Sequence, residues 1–216
     1  MSKTANTLEV NHSDVPIRLF KSDFLEFFTH IHPAVVVIIW LPVAAFFMVR
    51  AIMTVPAGAS WLYIPLCFVL GVFLWTLTEY LMHRFVFHYD PKSERMQQIF
   101  FLFHGVHHAQ PQLKTRLVMP PVVSIPTAVI FYALFSLIFG VLLNAYHLVA
   151  PIFSGFIAGY LAYDMIHYAT HHWPLRWRYL KYLKRYHMMH HFKTPAARFG
   201  VSSPVWDVVF GTKPTE

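Results

Sequence analysis

The chain has 216 residues, of which 56% are hydrophobic and only 12% charged, and its mean hydropathy is +0.47. A soluble globular domain usually carries about 25% charged residues, so this composition excludes an ordinary soluble domain. The formal charge of +7 fits basic loops beside a membrane better than nucleic-acid binding, because long apolar runs dominate the chain.

The predicted elements begin with an N-terminal tail, residues 1–30, whose aromatic segment SDFLEFF is typical of a helix lying along a membrane interface. Residues 31–216 then form one domain. It contains four apolar stretches of about 20 residues, the length that crosses a bilayer. Short connections join them in pairs, so they predict two helical hairpins. The predicted spans are 33–53, 61–82, 122–143 and 148–166.

The distribution of positive charge predicts the orientation of these spans. Of the 17 Lys and Arg residues, 16 lie in the tail, in the loop 83–119 or after residue 172. The positive-inside rule places all three regions in the cytoplasm. We see no signal peptide, because no basic segment followed by a cleavable apolar run opens the chain. The sequence therefore predicts an all-α, multi-pass integral membrane protein.

Eleven of the 15 histidines form four clusters on the predicted cytoplasmic side. Residues at i, i+3 and i+4 share a helix face, so the three histidines of each HxxHH cluster can point together. His83 and His88 are five residues apart and diverge on a regular helix, so they require a break or a 3₁₀ turn between them. The clusters are HRFVFH at 83–88, HGVHH at 104–108, HYATHH at 167–172 and HMMHH at 187–191.

These clusters predict a site for two metal ions. They offer about ten nitrogens, and ten neutral imidazoles without a metal would leave many buried polar atoms unpaired. A structural zinc site needs only four ligands. The surplus favours a redox-active metal pair that activates oxygen beside a lipid pool. Zinc, iron and copper all accept nitrogen ligands, so the residues alone do not choose among them. The single cysteine, Cys67, excludes a cysteine metal site.

Two carboxylates accompany the clusters. Glu79 precedes His83, and Asp164 precedes His167, by about one helical turn. Carboxylates inside apolar spans are costly and usually functional. We expect each to accept the free N–H of a ligating imidazole. The alternative is a surface acid paired with an arginine such as Arg84.

Three other features complete the candidate site. His172 adjoins His171 and points elsewhere on the helix, so it is either a ligand or a residue behind the ligands. Asp207, in the turn that follows SSP, is a further candidate for a residue that supports the ligands from behind. The segment 175–187 mixes basic and aromatic residues; we interpret it as a helix on lipid headgroups or a docking surface for an acidic electron donor, rather than as a nucleic-acid patch.

The order of motifs, HxxxxH, HxxHH, HxxxHH and HxxHH, resembles the fatty acid hydroxylase and sterol desaturase superfamily of membrane di-metal oxygenases. Within it, the chain is most similar to the fatty acid 2-hydroxylases. The likeness covers residues 18–213. It rests on LFKSDFLEFF near the start, RLVMPP at 116–121, YDMIHY at 163–168 and FGVSSPVWDVVFGT at 199–212.

The resemblance implies four transmembrane helices under a cytosolic helical cap, formed by residues 167–216 with the loop 83–119. It implies two iron ions, with zinc as a substitute in isolated protein, and O2 as co-substrate. The reaction is hydroxylation of the carbon next to an acyl carbonyl. The metal centre itself is catalytic, with no separate acid or base. The implied ligands are His83, His88, His104, His107, His108, His167, His171, His187, His190 and His191.

The chain departs from the family pattern in two places. Eukaryotic relatives often carry an N-terminal cytochrome domain, for which about 30 residues are too few; we expect a separate electron donor (a cytochrome, ferredoxin or similar protein) with its reductase. This difference favours a bacterial inner membrane over the endoplasmic reticulum. The family also commonly has an aspartate where this chain has Leu113, three residues before Arg116. We regard both as substrate-loop candidates, and the lipid headgroup need not be that of a ceramide.

Two other functions remain open. One is a sterol or carotenoid oxygenase or an acyl desaturase of the same superfamily; the compact pairing of the last two histidine clusters and the C-terminal motif favour hydroxylation over these. The other is a metal transporter or sensor, which would place its ligands near the bilayer midplane rather than at helix ends.

Overall fold

The computed structural model describes residues 10–215, and within that range the chain forms α-helices, π and 3₁₀ turns but no β-strand. Residues 1–9 of the predicted tail and Glu216 lie outside the described range. The α-helices are α1 (Asp23–Phe27), α2 (Pro33–Met53), α3 (Tyr63–Leu81), α4 (Glu94–Phe100), α5 (Val106–Ala109), α6 (Pro121–Phe135), α7 (Val149–His172), α8 (Arg178–Phe192) and α9 (Val205–Val209).

Four helical segments are long and apolar enough to cross a membrane, which confirms the number and the approximate positions of the predicted spans. Two of them are extended by π turns at their C-terminal ends, and the last begins with a 3₁₀ turn. The pairing into hairpins and the membrane orientation remain predictions. The segments are Pro33–Met53, Tyr63–Phe87, Pro121–Leu142 and Tyr146–His172.

The chain divides into two compact units. The first, which we call the apolar unit, comprises Ala34–Thr76 and Met119–Ala162. The second, the histidine unit, comprises the described residues up to Pro33 together with Leu77–Val118 and the chain from Tyr163 onward. The boundaries fall inside α3 and α7, so each of these helices contributes its C-terminal end to the histidine unit.

Two glycines allow α3 and α7 to approach closely in the apolar unit. A Cβ at Gly71 would lie 2.0 Å from the carbonyl oxygen of Ile152, and a Cβ at Gly155 would lie 2.0 Å from that of Phe68. Both positions therefore require glycine. Small residues at such contacts are typical of helices that associate in a membrane, where packing rather than the hydrophobic effect holds them together.

Buried hydrogen bonds link α2 to its neighbours in the same unit. Trp40 donates from Nε1 to the Ser124 hydroxyl on α6 at 3.1 Å. The Ser154 hydroxyl on α7 donates to the Ala44 carbonyl on α2 at 2.8 Å. Polar bonds of this kind hold helices in register where no water competes for the donors.

The end of α3 forms a π turn, Met82–Phe87, where the sequence led us to expect a break or a 3₁₀ turn. The His88 N–H donates to the His83 carbonyl at 3.1 Å, an i→i+5 bond. A π turn holds more residues than an α turn, so residues five apart come onto one face. A 3₁₀ turn holds fewer residues than an α turn, so the expectation of a 3₁₀ turn was wrong. The expectation of an irregular turn between His83 and His88 was correct.

A segment that we call the N-terminal strap, residues 10–22, lies along the loop that follows the second histidine cluster. The buried Gln110 accepts the Ile17 N–H at 2.8 Å and donates to the Val15 carbonyl at 3.0 Å. Arg116 donates to the Ile17 carbonyl and to the Glu26 carboxylate, each at 2.5 Å. The strap therefore adds a wall to the histidine unit.

Candidate metal centre

Ten histidines form two groups of five in the histidine unit, and they are the ten that the sequence singled out as ligands. Within each group, every residue has a ring nitrogen within 4.8 Å of a ring nitrogen of each other member. The first group is His83, His88, His104, His108 and His190. The second group is His107, His167, His171, His187 and His191.

The separations of the Nε2 atoms fit a metal ion in each group. A metal–nitrogen bond of about 2.0–2.1 Å puts two ligand nitrogens at right angles about 3.0 Å apart, whereas a tetrahedral angle gives about 3.4 Å. The observed separations are of the size at which two nitrogens could bind one ion. They are 3.1 Å for His83–His104, 3.0 Å for His104–His108, 3.0 Å for His88–His190, 3.0 Å for His107–His167, 2.9 Å for His171–His187 and 3.0 Å for His187–His191.

Burial keeps these imidazoles neutral. Burial, followed by neighbouring imidazoles, lowers the pKa of His88 to about 2. Burial also lowers the pKa of His190 to about 4, although its bond to the Ala197 carbonyl acts in the opposite direction. A neutral imidazole offers the lone pair that a metal needs. Burial and neighbouring imidazoles also lower the pKa well below its ordinary value at His104, His107, His108, His187 and His191.

Backbone carbonyls fix the tautomer of two ligands in the first group. His83 donates from Nδ1 to the Phe199 carbonyl at 2.5 Å, and His190 donates from Nδ1 to the Ala197 carbonyl at 2.7 Å. An N–H at Nδ1 leaves the lone pair on Nε2, the atom that faces the group. Sequence reasoning missed both carbonyls, because a backbone acceptor leaves no signal in residue type.

The structure divides each HxxHH cluster between the two groups, which corrects the expectation that its three histidines point together. His104 and His108 belong to the first group, but His107 belongs to the second. The other cluster is divided in the opposite sense: His187 and His191 lie in the second group and His190 in the first. In both, the i,i+4 pair goes to one group and the residue between them to the other.

The spacing of Glu79 and His83 led us to expect a hydrogen bond between them. Glu79 is buried, but it does not contact His83. Both nitrogens of His83 have other partners, the Phe199 carbonyl and His104. The Glu79 carboxylate instead accepts the backbone N–H groups of Val201 and Ser202, at 2.7 and 2.8 Å. Glu79 is therefore connected to His83 through the backbone of residues 199–202, whose Phe199 carbonyl accepts from His83.

The remaining second-shell candidates are also placed in the histidine unit. Asp207 is fully buried and accepts the Phe199 N–H at 2.8 Å. Asp164 is buried too. His172 lies outside both groups, with its ring 4.9 Å from that of Tyr168, so among the described residues it is not placed as a ligand.

The two substrate-loop candidates face into the protein. Leu113 is 8% exposed. The Arg116 guanidinium contacts Glu26, the Thr29 hydroxyl, His30 and the Ile17 carbonyl. Arg116 therefore anchors the N-terminal strap, and a role for either residue in binding substrate stays a prediction.

A cavity of about 1430 Å³ opens onto histidines of both groups, among them His104, His108 and His191. It exceeds the roughly 300–1,000 Å³ that is typical of small-molecule sites. Two aromatic side chains form part of its wall: Phe87, in the first histidine motif, and Phe101, just before the second.

The N-terminal strap contributes another wall of the cavity through Ile17, Leu19 and Phe20. Charged residues of both signs, including Asp90 and Lys193, also line the cavity. No pattern in the sequence indicates the position of the strap, because its contacts join residues more than 90 positions apart.

Comparison with known proteins agrees with this geometry. A family model described as fatty acid hydroxylase matches residues 68–212. A dihydroceramide fatty acyl 2-hydroxylase of Arabidopsis thaliana is 39% identical over 199 residues, which are 92% of this chain and 80% of the relative. A ceramide very long chain fatty acid hydroxylase of Saccharomyces cerevisiae is 41% identical over 193 residues, which are 88% of this chain and 48% of that protein.

A solved structure shows the same fold. It is described as full-length scs7p with only the hydroxylase domain visible, and it matches with a TM-score of 0.81 and 38% sequence identity. The match covers 89% of this chain and 70% of that one.

Proposed function

Because the chain belongs to the fatty acid hydroxylase family, we propose that it hydroxylates the carbon next to the carbonyl of a lipid acyl chain. The two groups of five histidines carry the proposal, since they offer two ions a nitrogen-rich site beside a large cavity. The relatives named above, which act on fatty acyl chains of ceramides or dihydroceramides, support the 2-position and an acyl lipid as substrate.

The proposal assigns one iron ion to each group. Iron supplies the activation of O2, whereas zinc can occupy the same nitrogens but has no redox chemistry. The reaction consumes the acyl C–H, O2, two electrons and two protons; a C–H bond is broken, a C–OH bond forms and the other oxygen atom leaves as water. The histidines act as ligands, and no separate acid or base is assigned.

The cavity gives the chain's own residues their part in this reaction. Aromatic side chains such as Phe87 and Phe101 provide an apolar surface for the acyl chain and exclude water from it. The strap residues Leu19 and Phe20 enclose the acyl chain from another side. Through these contacts the chain would hold the acyl carbon near the ligands that line the cavity.

The two electrons require a donor, which we propose to be a separate protein with its own reductase. The exposed positive side chains Arg178, Lys181 and Arg185 on α8, a helix without acidic residues, support an acidic donor or anionic headgroups at this face. The concentration of positive charge in three regions of the chain supports a site that faces the cytoplasm.

The test is mass spectrometry of total lipids from source cells with the gene intact, disrupted, and disrupted but complemented. We expect 2-hydroxyacyl lipids to disappear on disruption and to return on complementation, and fragmentation will locate the oxygen and identify the headgroup. If 2-hydroxyacyl lipids persist while an unsaturated, sterol or carotenoid product disappears, the proposed substrate and reaction are wrong.

A further inference from the structure

We propose that the buried carboxylates of Asp207 and Glu79 are positioning residues that act through a single loop on the first metal group and not on the second. The loop comprises residues 197–202, and we call it the carbonyl loop. The inference rests on the metal-binding part of the proposed function. It assigns unequal support to two sites whose ligand sets are chemically identical.

Asp207 holds the first half of the carbonyl loop with both of its oxygens. Its Oδ1 accepts the Phe199 N–H and its Oδ2 accepts the Gly200 N–H, each at 2.8 Å. Oδ1 also accepts the Thr212 hydroxyl at 2.7 Å. Each carboxylate oxygen of Asp207 is thus committed to a backbone donor of the loop.

Glu79 holds the second half of the loop in a different way. Its Oε1 accepts the N–H groups of both Val201 and Ser202. Its Oε2 accepts the Ser202 hydroxyl. Together the two carboxylates bind four consecutive backbone N–H groups of the carbonyl loop.

The carbonyl groups of the loop transmit this order to the ligands. The Ala197 carbonyl accepts from His190 and the Phe199 carbonyl accepts from His83, and both histidines belong to the first group. Hydrogen bonds to the second nitrogen of a ligating histidine set the orientation and basicity of the ring.

The backbone of the loop has little freedom to adapt if a carboxylate is lost. Arg198 has a φ of 62°, in the left-handed region that favours glycine. A Cβ at Gly200 would lie 2.0 Å from the Ser203 carbonyl oxygen. The conformation of the carbonyl loop therefore depends on its hydrogen bonds to Asp207 and Glu79.

The carbonyl loop makes no such bond to the second group in the described part of the chain, where the backbone contact of a ligand is that of His167 with Leu117. The Nδ1 atoms of His107, His187 and His191 are buried and have no hydrogen-bond partner within residues 10–215. Loss of the bonds that hold the carbonyl loop should consequently lower the affinity of the first group for its ion and leave that of the second group unchanged.

The two carboxylates predict different results for the same chemical change. In Asp207→Asn, only one oxygen remains, so at least one of the two backbone N–H groups must face an NH2 group. In Glu79→Gln, the remaining oxygen can keep both backbone bonds, and the new NH2 group faces a hydroxyl that can accept. Asp207→Asn should therefore lower the affinity of the first group for its ion by about 10- to 100-fold. The affinity in Glu79→Gln should stay close to that of the wild type.

The experiment measures Zn²⁺ affinity of the full chain in detergent by competition with a chelator, together with metal content. The double variant His171→Ala/His187→Ala leaves the second group three histidines, one fewer than the four ligands of a structural zinc site, and His83→Ala/His88→Ala does the same to the first group. We expect Asp207→Asn to weaken zinc binding in the first double variant and to leave it unchanged in the second. The matched control is Asp14→Asn, which changes an exposed carboxylate in the strap.

Retention of the second ion shows that a variant is folded. If Asp207→Asn loses both ions, Glu79→Ala, which removes the acceptor of two loop N–H groups, replaces it in the same two backgrounds. Equal weakening in both backgrounds by the folded variant, or no weakening in either, overturns the inference. A wild-type protein that binds two ions and forms no hydroxylated lipid would defeat the proposed function alone. An active wild type whose Asp207→Asn variant holds both ions equally tightly would defeat this inference alone.

Discussion

At the scale of the residue, the spacing within HxxHH explains how two motifs serve two ions. Residues at i and i+4 are separated by about 40° around an α-helix, and the residue at i+3 lies about 60° to the other side of the first. On α8, His187 and His191 therefore share one direction and His190 takes another. The second cluster is divided in the same way, His104 with His108 and apart from His107, although His104 lies in a π turn, Phe101–Gly105.

The ligand assignment predicts that His104→Ala abolishes hydroxylation, whereas His172→Ala does not. His104 supplies a nitrogen that lies 3.1 and 3.0 Å from two other ligand nitrogens, while His172 lies outside both groups. The loss at His104 should exceed the roughly 10- to 100-fold effect of losing a residue behind the ligands. Activity and metal content per chain are measured on protein recovered from the membrane. Full activity in His104→Ala would refute the assignment.

At the scale of the element, the π turn at the end of α3 is a means of aligning ligands. One extra residue in the turn brings His83 and His88 onto the same face, and both enter the first group. A regular helix through this region would separate them.

Deleting Val86, an exposed residue inside the π turn, should convert that turn to an α turn. His83 and His88 would then be four residues apart and about 40° apart around the helix, so they should still share a face. We therefore expect both bound ions to be retained, measured as zinc per chain after dialysis. Deletion of Lys92, in the exposed loop that follows, shortens the same connection without changing the turn and is the control. Loss of zinc in the Val86 deletion but not in the Lys92 deletion would show that the ligands require the π turn itself.

The contact between α3 and α7 leads to a second prediction at this scale. Gly155→Ala would place a Cβ 2.0 Å from the Phe68 carbonyl, so the helices must separate. Overpacking of this kind costs about 1–3 kcal/mol. Thermal unfolding in detergent, compared with Ala162→Ser on an exposed position of α7, measures the effect. A midpoint equal to that of the control would mean that the contact can relax.

At the scale of the whole molecule, the histidine unit is assembled from segments that are distant in sequence. The ligands come from residues 83 to 191, and the strap reaches the loop that follows the second cluster through Gln110 and Arg116. The Glu26–Arg116 ion pair, with the Glu26 side chain 15% exposed, is the main charged contact of this assembly.

The charge of Glu26 predicts a dependence of stability on pH. Burial acts to raise its pKa, but the N–H groups of Phe20 and Leu19 and the charge of Arg116 outweigh burial and lower the pKa. A pKa lowered in the folded state stabilises the protein above the unfolded-state pKa, and the stabilisation is lost as the pH falls through the folded-state value.

Glu26→Gln should therefore lower the free energy of unfolding by about 1–3 kcal/mol at pH 7. The difference from the wild type should persist to about pH 5 and shrink below about pH 4. Unfolding curves of both proteins across this range measure it, and because both contain the same histidines, the effect of those residues cancels. A difference that grows as the pH falls would contradict the predicted sign.

Local sequence determined much of this protein. Composition and run length predicted the helical class and four apolar spans, because about 20 apolar residues are needed wherever a helix crosses a bilayer. The density of imidazoles predicted a site for two metal ions, since so many buried nitrogens need a common partner. The resemblance to the family implied which ten histidines are the ligands, and the structure gathers these ten in two groups. The motif order indicated the family.

Only the tertiary structure decided how these residues are connected. It divided each HxxHH cluster between the groups, placed Arg116 against the strap, and gave His83 and His190 backbone carbonyls as partners. Each of these depends on how segments up to about 100 residues apart pack together. Side-chain spacing specifies the direction of a residue around its own helix, but not which neighbouring element lies there, so no local pattern contains this information.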